Sequence, residues 1–157
     1  MPRIEAWEPF EAGASTTKLV RTLSGDPHEW LPQPATDRGP GHWAVEVRAG
    51  PASRLATCMV GEPHGDEHSV RRHIRWRADP EPEDEHMQRA LPSFDGYLTL
   101  RSRDGDWPEL RLEGDYAAPT GSIGAALGPS QQHALAAAAA RGFLHDVFAK
   151  LIGDDRA

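Results

Sequence analysis

The last third of this chain constrains its fold most. A strand-like run leaves through Gly114-Asp115-Tyr116-Ala117-Ala118-Pro119-Thr120-Gly121, and an alanine-rich helix follows from about Pro129 to Ile152. Leu135, Ala139, Phe143, Val147 and Leu151 recur in that helix at spacings of four, and Leu144, Phe148 and Ile152 widen the stripe. Such recurrence gathers apolar side chains on one helical face. A lone amphipathic helix after the final strand has to bury that face on a sheet. The order predicts an α+β architecture in which a curved antiparallel sheet wraps around a long C-terminal helix.

The upstream sequence supplies the strands. Ile4 to Phe10 alternates apolar with charged residues around Trp7, as a half-buried first strand does. Ser15-Thr16-Thr17 offers N-caps for a short helix with the stripe Leu19, Val20 and Leu23, ended by Ser24-Gly25-Asp26-Pro27. A further helical turn is predicted from Pro27 to Leu31. From His42 the period becomes two, with Trp43, Val45 and Val47 opposite His42, Glu46 and Arg48. Together with Leu55 to Val60 this predicts a hairpin, and Gly61 to Asp66 reads as a turn. Val70, Ile74 and Trp76 alternate with Arg71, His73, Arg75 and Arg77, predicting a strand with a wet basic face. Asp79 to Asp84 is an acidic, proline-bearing linker. Tyr97 to Arg103 and Glu109 to Tyr116 form a last hairpin around Asp104-Gly105-Asp106-Trp107-Pro108.

Composition narrows the class. A length of 157 residues fits one domain spanning 1–157. Only 38% of the residues are hydrophobic and 26% are charged, which predicts a thin or hollow core. The net charge of −7 opposes general affinity for nucleic acid. Cys58, the single cysteine, cannot form an internal disulfide, which suits a reducing cytoplasm. The N-terminus carries no export-signal pattern, and the longest apolar run is mostly alanine, so no membrane span is expected. No cofactor is expected: the glycine-rich stretches lack a phosphate-loop lysine, and no serine sits in a nucleophile elbow.

The element order and the segment Leu112 to Gly124 support a resemblance. The pattern Gly-x-Tyr-x-x-Pro-x-Gly from Gly114 to Gly121, followed on the helix by Ala140-Arg141-Gly142-Phe143-Leu144, is similar to the last-strand exit of bacterial members of the START and Bet v1-like (polyketide cyclase-like, SRPBCC) helix-grip superfamily. The resemblance covers nearly the whole chain and its marks are structural. It implies a cavity between sheet and helix for apolar or aromatic small molecules; some members are aromatases or cyclases, others carriers or receptors. The short first strand and low apolar content depart from the large-cavity lipid carriers.

Strand parity predicts that Trp43, Ile74, Trp76, Leu98, Leu100, Leu110, Leu112, Tyr116 and Phe143 face the space under the helix, as core filling or as ligand contacts. Arg72 shares that parity, where its guanidinium could recognise a ligand carboxylate or phenolate, snorkel, or pair with a protein carboxylate. The primary expectation is a small hydrophobic or aromatic ligand bound without covalent chemistry. A cyclase, aromatase or dehydratase would instead set Arg72, His73 or Tyr97 against a carbonyl. A third possibility is an interaction module with a filled core. His64, Asp66, Glu67 and His68 lie close enough in sequence for a metal, but polar turn residues explain them equally without one.

Overall fold

The computed structural model describes residues 2–11, 14–50, 52–79, 91–103, 107–117 and 128–156. Strand β1 is Arg3–Pro9, followed by helix α1 (Thr16–Ser24), a 3-10 turn (Pro27–Glu29), and strands β2 (Thr36–Asp37), β3 (His42–Ala49) and β4 (Ala52–Val60). Then come β5 (His64–Gly65), β6 (Ser69–Ala78), β7 (Ser93–Arg103), β8 (Trp107–Ala117) and the long helix α2 (Pro129–Arg156). The linker beyond Asp79, the Asp104-Gly105-Asp106 turn and the strand exit from Ala118 to Gly124 lie outside the described residues.

The strands form one antiparallel sheet in the order β1-β8-β7-β6-β4-β3-β2, with β5 paired to β6. The expected hairpins are present: Val45 faces Ala56 across β3–β4, and Leu98 faces Leu112 across β7–β8. Two expectations need correction, and one strand had no expectation at all. His64 and Gly65, read as turn, pair with Arg71 and Val70 as a two-residue strand. The strands β7 and β8 begin earlier than expected: Phe94 pairs with both Trp76 and Tyr116, which extends β7 back to Ser93, and the Ser102–Pro108 pairing carries β8 into the predicted turn as far as Trp107. The Thr36–Asp37 strand, too short to show periodicity, pairs with Ala44 and Trp43.

Register sets the inner face. A one-residue slip would turn every side chain over, and the observed pairs keep the apolar set together: Val70 with Leu100, Trp76 with Phe94, and Leu100 with Leu110. Gly96 and Gly114 face each other in this layer. A Cβ on Gly96 would lie 2.1 Å from the Glu113 carbonyl oxygen, so the strands approach more closely there than any side chain allows.

Both helices cover the inner face. The Ser15 side chain caps α1 by accepting from the Lys18 N–H at 3.2 Å, and Leu19, Val20 and Leu23 bury against the sheet, where α1 meets β6 and β7. Helix α2 lies across β3, β1 and β8. It buries the predicted stripe of Ala139, Phe143, Leu144, Val147 and Leu151. Burying each of the larger side chains contributes about 1.5–3 kcal/mol. Phe148 packs on Phe10 at the end of β1, with ring centroids 4.6 Å apart. On the other side α2 meets β3 backbone to backbone: a Cβ on Gly142 would sit 2.1 Å from the Arg48 carbonyl oxygen. One turn along α2, Asp146 accepts from Arg48 Nε at 3.0 Å.

Gly142 therefore reverses an ordinary rule. Alanine in a helix interior normally gains about 1 kcal/mol over glycine, but Gly142→Ala forces α2 off β3 and should cost about 1–3 kcal/mol by overpacking. Nothing lies within 4 Å of the equivalent position at Gly153, so Gly153→Ala should be neutral or stabilising. Urea denaturation of both variants checks the pair, and a stabilised Gly142→Ala would show that the close helix seat is not needed.

Candidate ligand-binding site

The inward residues gather as parity predicts. Ile74, Leu98, Leu100, Leu110, Leu112 and Phe143 are fully buried, and Trp76 and Tyr116 nearly so; Trp43 is half-buried and packs against the same cluster. The Trp76 ring stacks on Phe94 at 4.6 Å and tilts onto Phe143 at 4.9 Å, while its indole N–H donates to the Pro92 carbonyl at 3.1 Å. The Tyr116 hydroxyl lies 3.1 Å from His133 Nδ1, tying β8 to α2. A void wide enough for a water would leave accessible surface on the side chains lining it. The four leucines, Ile74 and Phe143 retain none, so packed side chains fill the space around them, where the low apolar content suggested a thin or hollow core.

Arg72 is inward and 6% exposed. Its Nε donates to the Gly61 carbonyl at 3.0 Å, and one terminal nitrogen donates to the carbonyls of Leu23 at 3.0 Å and Gly25 at 2.7 Å. Three of the five guanidinium N–H groups thus hold backbone. They close the C-terminal end of α1, whose last carbonyls have no intrahelical donor. Burial lowers the Arg72 pKa, and the carboxylates of Glu62 and Asp26 oppose that shift. Its guanidinium carbon also stands 5.4 Å from the centroid of the buried Trp30 ring. The expected snorkelling or carboxylate pairing is replaced by a strut between α1, the segment after β4, and β6.

His73 and Tyr97 sit on the opposite face of the sheet, because adjacent residues in a strand alternate sides. There His73 Nε2 lies 2.5 Å from Asp95 Oδ1, and the Arg71 guanidinium covers the Tyr97 ring at 3.8 Å. The hydrogen bond from His73, with Arg75 beside it, holds the Asp95 carboxyl below its ordinary range. Arg72, His73 and Tyr97 do not converge on one point. In the β5–β6 turn, Asp66 Oδ1 accepts from the N–H groups of His68 at 2.7 Å and Ser69 at 3.0 Å, so this carboxylate is engaged by backbone. No group of three or more metal-ligating side chains is present among the described residues.

Among the described residues, crevices lie on both sides of α2. One, about 540 Å³, lies between β1 and α2 and is lined by Glu5, Ala6, Trp7, Glu8, Arg141, Leu144 and His145. His145 Nδ1 lies 3.2 Å from Glu8 Oε1, and the other Glu8 carboxylate oxygen is buried without a partner among the described residues. Trp7 is 53% exposed. The other crevice, about 400 Å³, runs between β3 and α2 and includes Arg48 and Asp146, which are already paired with each other. The first crevice escaped the sequence reading because its two walls lie 137 residues apart at the Glu8–His145 contact. The one available signal was the i, i+4 pair Arg141 and His145, beside the apolar stripe of the helix.

Two outcomes follow for the buried groups. Arg72→Met leaves three carbonyls without their donor and should cost about 2–4 kcal/mol in urea denaturation. Arg72→Lys should recover less than half, because one ammonium cannot reproduce the planar fork; full recovery would refute the strut. Burial pushes the Cys58 thiol from about 9 up to about 12. The folded state therefore holds the thiol proton, an advantage present below pH 9 and lost as pH rises toward 12. Ellman's reagent at pH 8 should leave folded protein unmodified and react fully after unfolding.

No family model matches the chain, and no curated protein matches it. Similar folds occur among crystal structures. A hypothetical protein of Helicobacter pylori overlays with TM-score 0.57 at 11% identity, covering 99% of this chain and 88% of that one. A protein of Thermus thermophilus gives 0.56 at 14% identity, covering 98% and 99%. A conserved protein of Geobacillus kaustophilus gives 0.56 at 10% identity, covering 97% and 93%. With its sheet curled from β1 round to β3 about one C-terminal helix, this chain has a helix-grip fold.

Proposed function

We propose that this single helix-grip domain binds a small hydrophobic or aromatic molecule between sheet and C-terminal helix, without covalent chemistry or a cofactor, in a reducing cytoplasm. The crevice between β1 and α2 carries the reading. Its volume of about 540 Å³ lies inside the roughly 300–1,000 Å³ typical of ligand sites, and its lining mixes apolar and polar groups in the way such sites do. Ala6 and Leu144 give it an apolar floor. Ile74, Trp76, Leu98, Leu100, Leu110, Leu112, Tyr116 and Phe143 belong to the same packed cluster as Leu144, Trp43 packs against it, and Arg72 is buried on the same sheet face. A ligand seated among those residues would have to displace packed side chains, whereas the crevice is already open.

A second reading has its own observation. The interior is filled, and β1 is an edge strand whose outer side has no strand partner among the described residues. An interaction module using that edge would take an extended peptide.

Native mass spectrometry of freshly purified protein separates the two. A retained small molecule is expected, and His145→Trp, which fills the crevice from an exposed position, should lose it while melting within a few degrees of the parent. Phe143→Ala should lower stability by about 3–5 kcal/mol. If the parent retains nothing and binds no small aromatic probe, the binding reading falls and the peptide reading gains.

A further inference from the structure

The face of the sheet turned away from α2 has a composition of its own. Among the described residues, every exposed large hydrophobic side chain, Trp7, Leu55, Met59, Tyr97 and Trp107, has the strand parity of this outer face. Its charges are sorted by strand. The outward positions of β6 carry Arg71, Arg75 and Arg77 and no acid. Those of β8 carry Glu109, Glu113 and Asp115 against one cation, Arg111. Strand β7 lies between the two and presents Tyr97 and Thr99 between Asp95 and Arg101. Register sets the two flanks level: Arg75, Asp95 and Asp115 form one row, and His73, Tyr97 and Glu113 the next.

We infer that this face pairs with the same face of a second copy, as a weak two-fold dimer steered by charge. A two-fold axis running along β7 exchanges the strands on its two sides, so β6 of each copy lies over β8 of the other and the surface meets itself. Arg75 then stands over Asp115 and His73 over Glu113, twice, while Tyr97 meets its own counterpart on the axis. The like charges at this level are already occupied within each chain. Asp95 is held by His73 at 2.5 Å and Arg75 at 3.4 Å. The Arg71 guanidinium covers Tyr97 at 3.8 Å, and Arg111 leans on Glu5 and Glu109 at 3.6 and 3.7 Å. An acidic protein or a nucleic acid would suit β6 but be repelled by β8. Only a partner sorted in the reverse sense complements both flanks, and this chain carries that surface itself. Because the sheet curls about α2, its outer face is convex and contact centres on β6, β7 and β8. That places the dimer among small interfaces, below about 1,200 Å².

Sedimentation equilibrium of the full chain, from about 10 µM to about 1 mM, tests this. The parent should dimerise reversibly, and raising the salt from about 50 to about 500 mM should weaken the dimer about tenfold. Arg75→Glu with Arg77→Glu makes both flanks acidic, and Glu113→Lys with Asp115→Lys makes both basic. Each double variant alone should be monomeric while melting within a few degrees of the parent, and an equimolar mixture of the two should recover the dimer. A parent that stays monomeric throughout the range overturns the inference, as does a mixture that does not associate. A dimer that survives both reversals overturns it too and moves the contact elsewhere, with the β1 edge the next place to look. None of these outcomes touches the crevice beside α2, so the binding reading is tested separately.

Discussion

The rest of the structure depends on how closely α2 approaches β3. At Gly142 the helix backbone meets the Arg48 carbonyl with no room for a Cβ, so the axis of the helix is fixed by main chain and not by deformable side chains. On the opposite side α2 meets β1 through side chains, among them the Phe10–Phe148 ring contact at the end of that strand and the Glu8–His145 pair. A hollow of about 540 Å³ lies beside β1 and one of about 400 Å³ beside β3.

The same seat explains why the interior is filled. With the helix drawn down onto the sheet, Phe143 comes within ring contact of Trp76, which is stacked in turn on Phe94. A 38% hydrophobic chain achieves this by placing large groups at few positions: Trp30, Trp76 and Phe143 are among its largest fully buried side chains. Composition averages over positions, and so it understated a core whose volume sits in a handful of rings. Interior packing at crystal-like density leaves few voids larger than a water, and the crevices lie at the flanks of the helix.

How much was legible follows from the reach of each pattern. Alternation in β3 and β6 and the four-residue stripe in α2 are local and long, and they gave the strands, the final helix and the inward parity of Arg72 and Trp76 correctly. The strands β2 and β5 have two residues each and cannot display a period. Proline and glycine misled where strands tolerate them: Pro108 pairs with Ser102 near the start of β8, and Gly96 faces Gly114 where the chains nearly touch. Proximity between distant segments left no trace at all, so neither the Glu8–His145 pair nor the backbone role of Arg72 could be read from either residue's neighbours.

Arg72 and Arg141 show how one residue type serves in two settings, one buried and one at the surface. The inward Arg72 is surrounded by carbonyls that lack other donors, and its geometry is consumed in holding α1 to the sheet. A ligand anion competing for it would have to break those bonds and reach a site closed to water. Arg141 lines a half-open crevice, with its donors uncommitted among the described residues. Desolvation explains the difference in use: a buried cation is stable only when its partners are built in, whereas one at a crevice wall can await a partner at little cost in water.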